Sequence, residues 1–88
     1  MKILKFGAIW CPGCLIMSKI WSDIVSEYDI EIEDYDIDID ESMCEKYNIN
    51  DTLPAYIFLD KNDNELERLI GEQTKQTLIN TIEKYINE

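Results

Sequence analysis

Hydrophobic and polar residues follow two periods along the 88-residue chain, and these periods predict seven secondary-structure elements. Short apolar or alternating runs predict four strands, because successive side chains of a strand point to opposite faces. Three other segments have apolar residues spaced three and four apart, which is typical of helices packed on one side. The predicted strands cover 3–8, 30–37, 55–59 and 65–70, and the predicted helices cover 12–28, 41–47 and the segment that follows Thr74.

The order of these elements, βαβαββα, indicates an α/β fold. A helix joins the first two strands, so we expect them to be parallel, with a right-handed crossover. Turn residues at 60–64 join the last two strands, which predicts a hairpin. We therefore expect a four-stranded mixed sheet flanked by helices, and at this length a single domain over 1–88.

The candidate chemistry lies in the segment Trp10-Cys11-Pro12-Gly13-Cys14, where the first strand gives way to the first helix. Pro12 suits the first helical position, since an N–H is not needed there, and this places Cys11 at the N-cap. Free backbone N–H groups and the helix dipole favour a negative charge at an N-cap, so we expect Cys11 to react as the thiolate. We expect Cys14, about one turn further on, to be more enclosed and to act as the resolving thiol. Trp10 is expected to flank the active surface.

A zinc site is the alternative interpretation of a C-x-x-C pair. The chain has no histidine and one further cysteine, Cys44. A metal-binding or interaction module would therefore have to combine Cys11, Cys14 and Cys44 with a carboxylate, which is an unusual ligand set. We favour redox chemistry without a metal, and expect Cys44 to be a small buried side chain of the short helix.

The charge of the chain disfavours some partners. Nineteen acidic and eight basic residues give a net charge of −11, which opposes binding to nucleic acid or to anionic membranes. Ten carboxylates lie in 27–45, where they indicate a solvated face or steering toward basic patches on partner proteins. No apolar stretch reaches membrane-spanning length, and the first residues do not resemble a signal peptide. We therefore expect a cytoplasmic protein.

The chain resembles the thioredoxin superfamily along nearly its whole length. The resemblance rests on the C-x-x-C at a strand-to-helix junction, on Trp10 before it, on Leu53-Pro54 before the third strand and on Gly71 after the fourth. It implies a minimal thioredoxin-like fold, because the sequence contains no counterpart of the extra strand and helix that precede the first core strand in thioredoxins. It also implies a cis peptide bond before Pro54, facing the cysteines, and substrate binding by Leu53, Pro54 and Gly71.

The implied activity is that of an enzyme, a thiol–disulfide oxidoreductase that reduces protein disulfides through a reversible Cys11–Cys14 dithiol. The resemblance implies disulfide-containing protein substrates, an electron donor of the thioredoxin-reductase type and no bound cofactor, and we expect a monomer. A disulfide oxidant, an isomerase or a glutathione-dependent glutaredoxin are the alternatives within this class, and the chain has the size of a glutaredoxin. We favour the thioredoxin-like reductase, because Gly71-Glu72 lacks the glycine pair and acidic residue with which glutaredoxins hold glutathione.

Two charged positions depart from the thioredoxin pattern. Thioredoxins bury an aspartate six residues before the first cysteine, where this chain has Lys5, and a gapless count places Asp34 where the family often has a partner lysine. Because a buried charge needs a partner, we expect Lys5 and Asp34 to form a buried pair with swapped charges. The alternative is that Lys5 extends toward solvent and Asp34 is hydrated. In the paired arrangement Asp34 would take the Cys14 proton through Lys5 or a water, while Lys5 would favour a thiolate.

Overall fold

The computed structural model describes residues 1–50 and 52–86, and it has the predicted order of elements. Each predicted boundary lies within about one residue of the observed one, a normal margin for element ends. The strands are β1 (Lys2–Gly7), β2 (Glu31–Asp36), β3 (Ala55–Leu59) and β4 (Glu65–Ile70). The helices are α1 (Pro12–Glu27), α2 (Glu41–Lys46) and α3 (Lys75–Tyr85).

The four strands form one mixed sheet in the order β2-β1-β3-β4. β1 is parallel to β2 and antiparallel to β3, and β3 and β4 form the predicted antiparallel hairpin. The predicted α/β fold, with its four-stranded mixed sheet flanked by helices, is therefore confirmed. β1 is a central strand and β2 is an edge strand, which determines how far their side chains are shielded from solvent.

The core has two parts, one on each face of the sheet. On one face, α1 and α3 pack against alternate residues of β1 and β3; the buried members are Ile3, Met17, Trp21, Ile24, Tyr56, Phe58, Leu78 and Ile82. The other face carries α2, and its buried members are Leu4, Phe6, Cys44, Ala55, Ile57 and Leu59. β3 is buried at all five positions, so its sequence is a continuous apolar run rather than an alternation of apolar and polar residues. Cys44 is buried on the short helix, as predicted.

Capping fixes where the long helices begin. Cys11 is the N-cap of α1, and Pro12 occupies the first helical turn. Thr74 caps α3, as predicted, by accepting a hydrogen bond from the Thr77 N–H at 3.1 Å. Asp40 holds the N-cap position of α2, but its side chain makes no capping bond. Instead it accepts a hydrogen bond from the Asp36 N–H at 2.8 Å, which ties the loop after β2 to the start of α2.

Within the described ranges, no helix combines the length and the apolar character needed to cross a membrane.

Candidate active site

The two thiols of the C-x-x-C segment meet at the first turn of α1. The backbone N–H of Cys14 donates a hydrogen bond to Sγ of Cys11 at 3.2 Å. The Cys11 N–H in turn donates to the carbonyl oxygen of Ala8 at 3.1 Å, which closes the turn between β1 and the helix. All three cysteines of the chain are free thiols. A sulfur atom that accepts a backbone N–H at a helix N-terminus is in an environment that favours negative charge.

The two thiols differ in exposure in the opposite sense to the prediction. Cys11 is only 4% exposed, whereas Cys14 is partly exposed. The expectation that Cys14 is the more enclosed of the two is therefore wrong for the residue as a whole, because Cys14 lines a groove beside the helix, although its thiol is still partly desolvated. Desolvation of the Cys14 thiol, followed by its interaction with the Cys11 side chain, raises the pKa of Cys14 to about 11. Cys14 is consequently a protonated thiol at neutral pH, and its deprotonation is a distinct chemical requirement.

The loop before β3 lies against the C-x-x-C segment. The Leu53–Pro54 peptide bond is cis, and Pro54 is buried. A Cβ atom added to Gly13 would lie 3.2 Å from Cδ of Pro54 and 3.1 Å from Cγ of Glu72, so the segment approaches both residues closely. Gly71 has φ of +89°, a conformation that favours glycine, and its N–H donates to the carbonyl oxygen of Pro54 at 2.7 Å. Leu53, Pro54 and Gly71 are therefore brought to the cysteines.

A groove of about 390 Å³ lies beside Cys14, between the start of α1 and the β2 edge of the sheet. Polar groups and aromatic rings both line it. The polar residues that line it are Lys5, Cys14, Ser18, Asp34, Asp36 and Asp40, and Pro54 borders it. The groove therefore brings one thiol, one cation and three carboxylates to the same space.

Lys5 and Asp34 form the predicted ion pair, but the pair is not buried. The two residues are opposed in the parallel register of β1 and β2, and Lys5 Nζ lies 3.2 Å from Asp34 Oδ1. The Lys5 side chain is 22% exposed and lies over the Trp21 ring, whereas the Asp34 side chain is 74% exposed. The prediction of a buried pair is therefore wrong for Asp34. Its strand forms the edge of the sheet, so its carboxylate reaches water while Lys5, on a central strand, stays under α1.

Several residues at this site were not singled out from the sequence. A Cβ atom at Gly7 would lie 3.0 Å from Cys14 Sγ, so Gly7 makes room for that thiol. The sequence contained a signal for this role, since an isolated glycine in a strand often marks a close approach of another group.

Trp10 is exposed at the active surface, as expected, and its Nε1 donates to Asp38 Oδ2 at 2.8 Å. Nothing in the local pattern distinguished Asp36, Asp38 or Glu72 from the other acidic residues.

Cys44 is separated from the other two thiols by the sheet. Cys44 is on the buried side of α2, and its burial, together with nearby carboxylates, raises the pKa of its thiol. Among residues 1–50 and 52–86, no three His, Cys, Asp or Glu side chains converge in a way that could hold a metal ion. The ligand set on which the metal-binding alternative depends is therefore not assembled in this part of the chain.

The structure is thus an α/β domain with two cysteines at the N-terminus of its first long helix and a cis-proline loop beside them. The sequence profile of the thioredoxin family matches residues 1–84, and the chain belongs to that family. The M-type chloroplastic thioredoxin of Spinacia oleracea is 32% identical over 87 residues, which cover 97% of this chain and 47% of that protein. The corresponding protein of Pisum sativum is 34% identical over 86 residues, which cover 96% and 49%.

A solved structure agrees over a greater share of its length. Thioredoxin 1 of Thermosipho africanus has a TM-score of 0.86 and 32% identity, with 99% of this chain and 96% of that chain covered. This chain spans about half the length of the two plant relatives.

Proposed function

We propose that this chain reduces protein disulfides by dithiol exchange, with Cys11 as the attacking and Cys14 as the resolving thiol. The observation that carries the proposal is the Cys11 Sγ at the N-cap of α1, 3.2 Å from the Cys14 N–H. The Cys11 thiolate attacks one sulfur of the substrate disulfide, and the other substrate sulfur leaves as a thiolate and takes a proton. Cys14 then attacks Cys11 in the mixed disulfide, which releases the second substrate thiol and leaves Cys11–Cys14 oxidised.

The second step requires the Cys14 proton to leave, because the pKa of Cys14 is about 11. We assign Asp34 as the acceptor of this proton through water, since it lines the same groove and is well exposed. Lys5 holds the Asp34 carboxylate at 3.2 Å and adds a positive charge to that groove. A thiolate beside a cation is stabilised, so Lys5 favours the deprotonated form of Cys14 in the transition state.

Substrate binding is assigned to the loop that faces the cysteines. Gly71 is joined to Pro54 by the hydrogen bond from the Gly71 N–H to the Pro54 carbonyl oxygen, at 2.7 Å, and Leu53 precedes Pro54 in the same loop. The backbone of Leu53 is the group that we expect to pair with an extended substrate segment. Pro12 and Gly13 support the site, Pro12 by starting the helix and Gly13 by allowing the close approach of Pro54.

The oxidised chain must be reduced again by an external donor, and we propose a thioredoxin-reductase-type flavoenzyme. We further propose that the protein works as a monomer, without a bound cofactor, in the cytoplasm. A cysteine pair with a single further cysteine is more typical of a reducing compartment than of a secreted domain held by disulfides. The chloroplastic names of the plant relatives make a chloroplast the alternative, and microscopy of the tagged full-length protein in its own cells decides between the two.

The test compares two electron donors. Reduction of a protein disulfide is followed with NADPH and a thioredoxin reductase, and in parallel with glutathione and glutathione reductase. We expect turnover with the first donor, loss of turnover in Cys11→Ser and normal turnover in the matched control Cys44→Ser. Turnover only with glutathione would establish the glutaredoxin alternative, and no turnover with either donor would refute the proposal.

A further inference from the structure

The surface around the cysteines carries exposed aliphatic and aromatic side chains. Ile9 is 85% exposed, Leu15 is 70% exposed and Ile39 is 74% exposed, and Trp10 and Ile16 are more than half exposed. Four of these residues lie within two positions of Cys11 or Cys14 in the chain, and the hydrogen bond from Trp10 to Asp38, the neighbour of Ile39, brings Ile39 to the same surface. We call these five residues the apolar collar. Apolar groups gathered around a reactive thiol indicate a surface that a partner covers.

Carboxylates lie beside the apolar collar. Asp36 and Asp40 line the groove next to Cys14, and Glu72 lies against Gly13 on the other side of the C-x-x-C segment. Among the described residues, Asp36, Asp40 and Glu72 form no ion pair, and in the groove three carboxylates outnumber the single cation, Lys5. The whole chain has a net charge of −11. The field over the cysteines therefore attracts cations and repels anions.

We propose that the partner segment which docks over Cys11 and Cys14 is apolar at its centre and basic at its edge. Its target cysteine lies beside aliphatic side chains that contact the apolar collar, and at least one Lys or Arg faces Asp36, Asp40 or Glu72. A second copy of this chain is disfavoured as the occupant because two copies would each carry a charge of −11. The proposal rests on the proposed disulfide reductase function and names the substrate class of that site.

The experiment uses three peptides that contain the same intrachain disulfide and the same aliphatic neighbours. They differ in two flanking residues, which are Lys, Gln or Glu. The rate constant for oxidation of the reduced protein by each peptide is measured by tryptophan fluorescence at low and at high salt. We expect the Lys peptide to react roughly tenfold faster than the Glu peptide at low salt, and the difference to shrink at high salt, as for electrostatically steered association.

Variants locate the effect on the protein. The double variant Asp36→Asn/Glu72→Gln should remove most of the rate advantage of the Lys peptide over the Glu peptide. Asp29→Asn, which removes an exposed charge beyond the far end of α1, is the control and should leave the order of the peptides intact. Ile9→Ser/Ile39→Ser should slow all three peptides severalfold, whereas Val25→Ser, an exposed apolar site further along α1, should not.

The outcomes separate this inference from the proposed function. If the Gln peptide is reduced but the three peptides react equally at low salt, the docking inference is overturned and the reductase function stands. A preference for the Glu peptide would also overturn the docking inference. If none of the peptides oxidises the reduced protein, both proposals fail.

Discussion

Lys5 Nζ lies 3.2 Å from Asp34 Oδ1, across the parallel register of a central strand and an edge strand. The pair is asymmetric, because Lys5 is largely covered by α1 whereas the Asp34 side chain is 74% exposed. An ion pair with one hydrated member contributes little to stability, since water screens its attraction. The pair therefore matters less for stability than for position, because it holds the Asp34 carboxylate beside the groove that Cys14 lines.

The first prediction concerns the stability of this pair. We expect a double-mutant cycle of Lys5→Met and Asp34→Asn, measured by urea unfolding, to give a coupling energy of about 0.5–1 kcal/mol. The reason is that Asp34 remains hydrated when its partner is removed. A coupling energy of several kcal/mol would show instead that the Asp34 carboxylate is shielded from water.

The second prediction concerns the proton of Cys14. Asp34→Asn should slow the resolving step by about tenfold or more. A positioned general base typically contributes about 10²–10⁴-fold, and water replaces part of the contribution of an exposed carboxylate. The step is observed as the decay of the mixed disulfide after rapid mixing with a model substrate. Because Asp34 is exposed, added formate should restore part of the rate in the variant. Asp29→Asn is the control. A slow variant that formate does not rescue would leave Asp34 with a positioning role and would refute its role as proton acceptor.

The third prediction assigns the two thiols. Cys14→Ser should accumulate a mixed disulfide with a protein substrate, because the thiol that releases the intermediate is missing. Cys11→Ser should accumulate none, and Cys44→Ser should give the same adduct pattern as the unaltered protein because Cys44, a residue of α2, lies on the opposite face of the sheet from α1. The adducts are counted by mass spectrometry under non-reducing conditions. Accumulation in Cys11→Ser instead would reverse the assigned roles.

The fourth prediction follows from the raised pKa of Cys14, about 11, against about 8.5 for a cysteine in an unfolded chain. The folded, reduced protein holds this proton more tightly than the unfolded chain does. The resulting stabilisation is complete below about pH 8.5 and is lost as the pH rises toward about 11. We expect the unfolding free energy of the reduced protein to fall over this interval more steeply than that of Cys14→Ser. Parallel pH profiles of the two proteins would show that the pKa of Cys14 is not raised.

The element order and the attacking thiol could be predicted because they depend on local patterns. The position of Cys11 follows from a strand, a proline and a helical period that are all visible within 3–24. The relative exposure of the two thiols could not be predicted, since the groove that exposes Cys14 is formed by β2 and by the loop before β3, both distant in sequence. The exposure of Asp34 has the same origin, because periodicity within β2 does not reveal that this strand is an edge.

Gly7 illustrates a residue whose role depends on a single contact. It ends β1, and a Cβ atom there would lie 3.0 Å from Cys14 Sγ, closer than most real Cβ contacts. Its φ is not in the left-handed region, so alanine meets no backbone strain at this position. The effect of Gly7→Ala therefore reports mainly on the space that the Cys14 thiol needs.

The fifth prediction uses this contact. Gly7→Ala should destabilise the reduced protein by roughly 1–3 kcal/mol, the usual cost of overpacking, and should lengthen the lifetime of the mixed disulfide because Cys14 is displaced. In a Cys14→Ala background the sulfur is absent, and the nearest remaining atom to a Cβ at position 7 is the Cβ of residue 14, at 3.6 Å, which is an ordinary contact. There the same change should be neutral or stabilising by up to about 1 kcal/mol, since alanine restricts the unfolded chain more than glycine does. The measurement is a cycle of urea unfolding free energies, and an equal cost of Gly7→Ala in both backgrounds would show that the glycine is not there to accommodate the thiol.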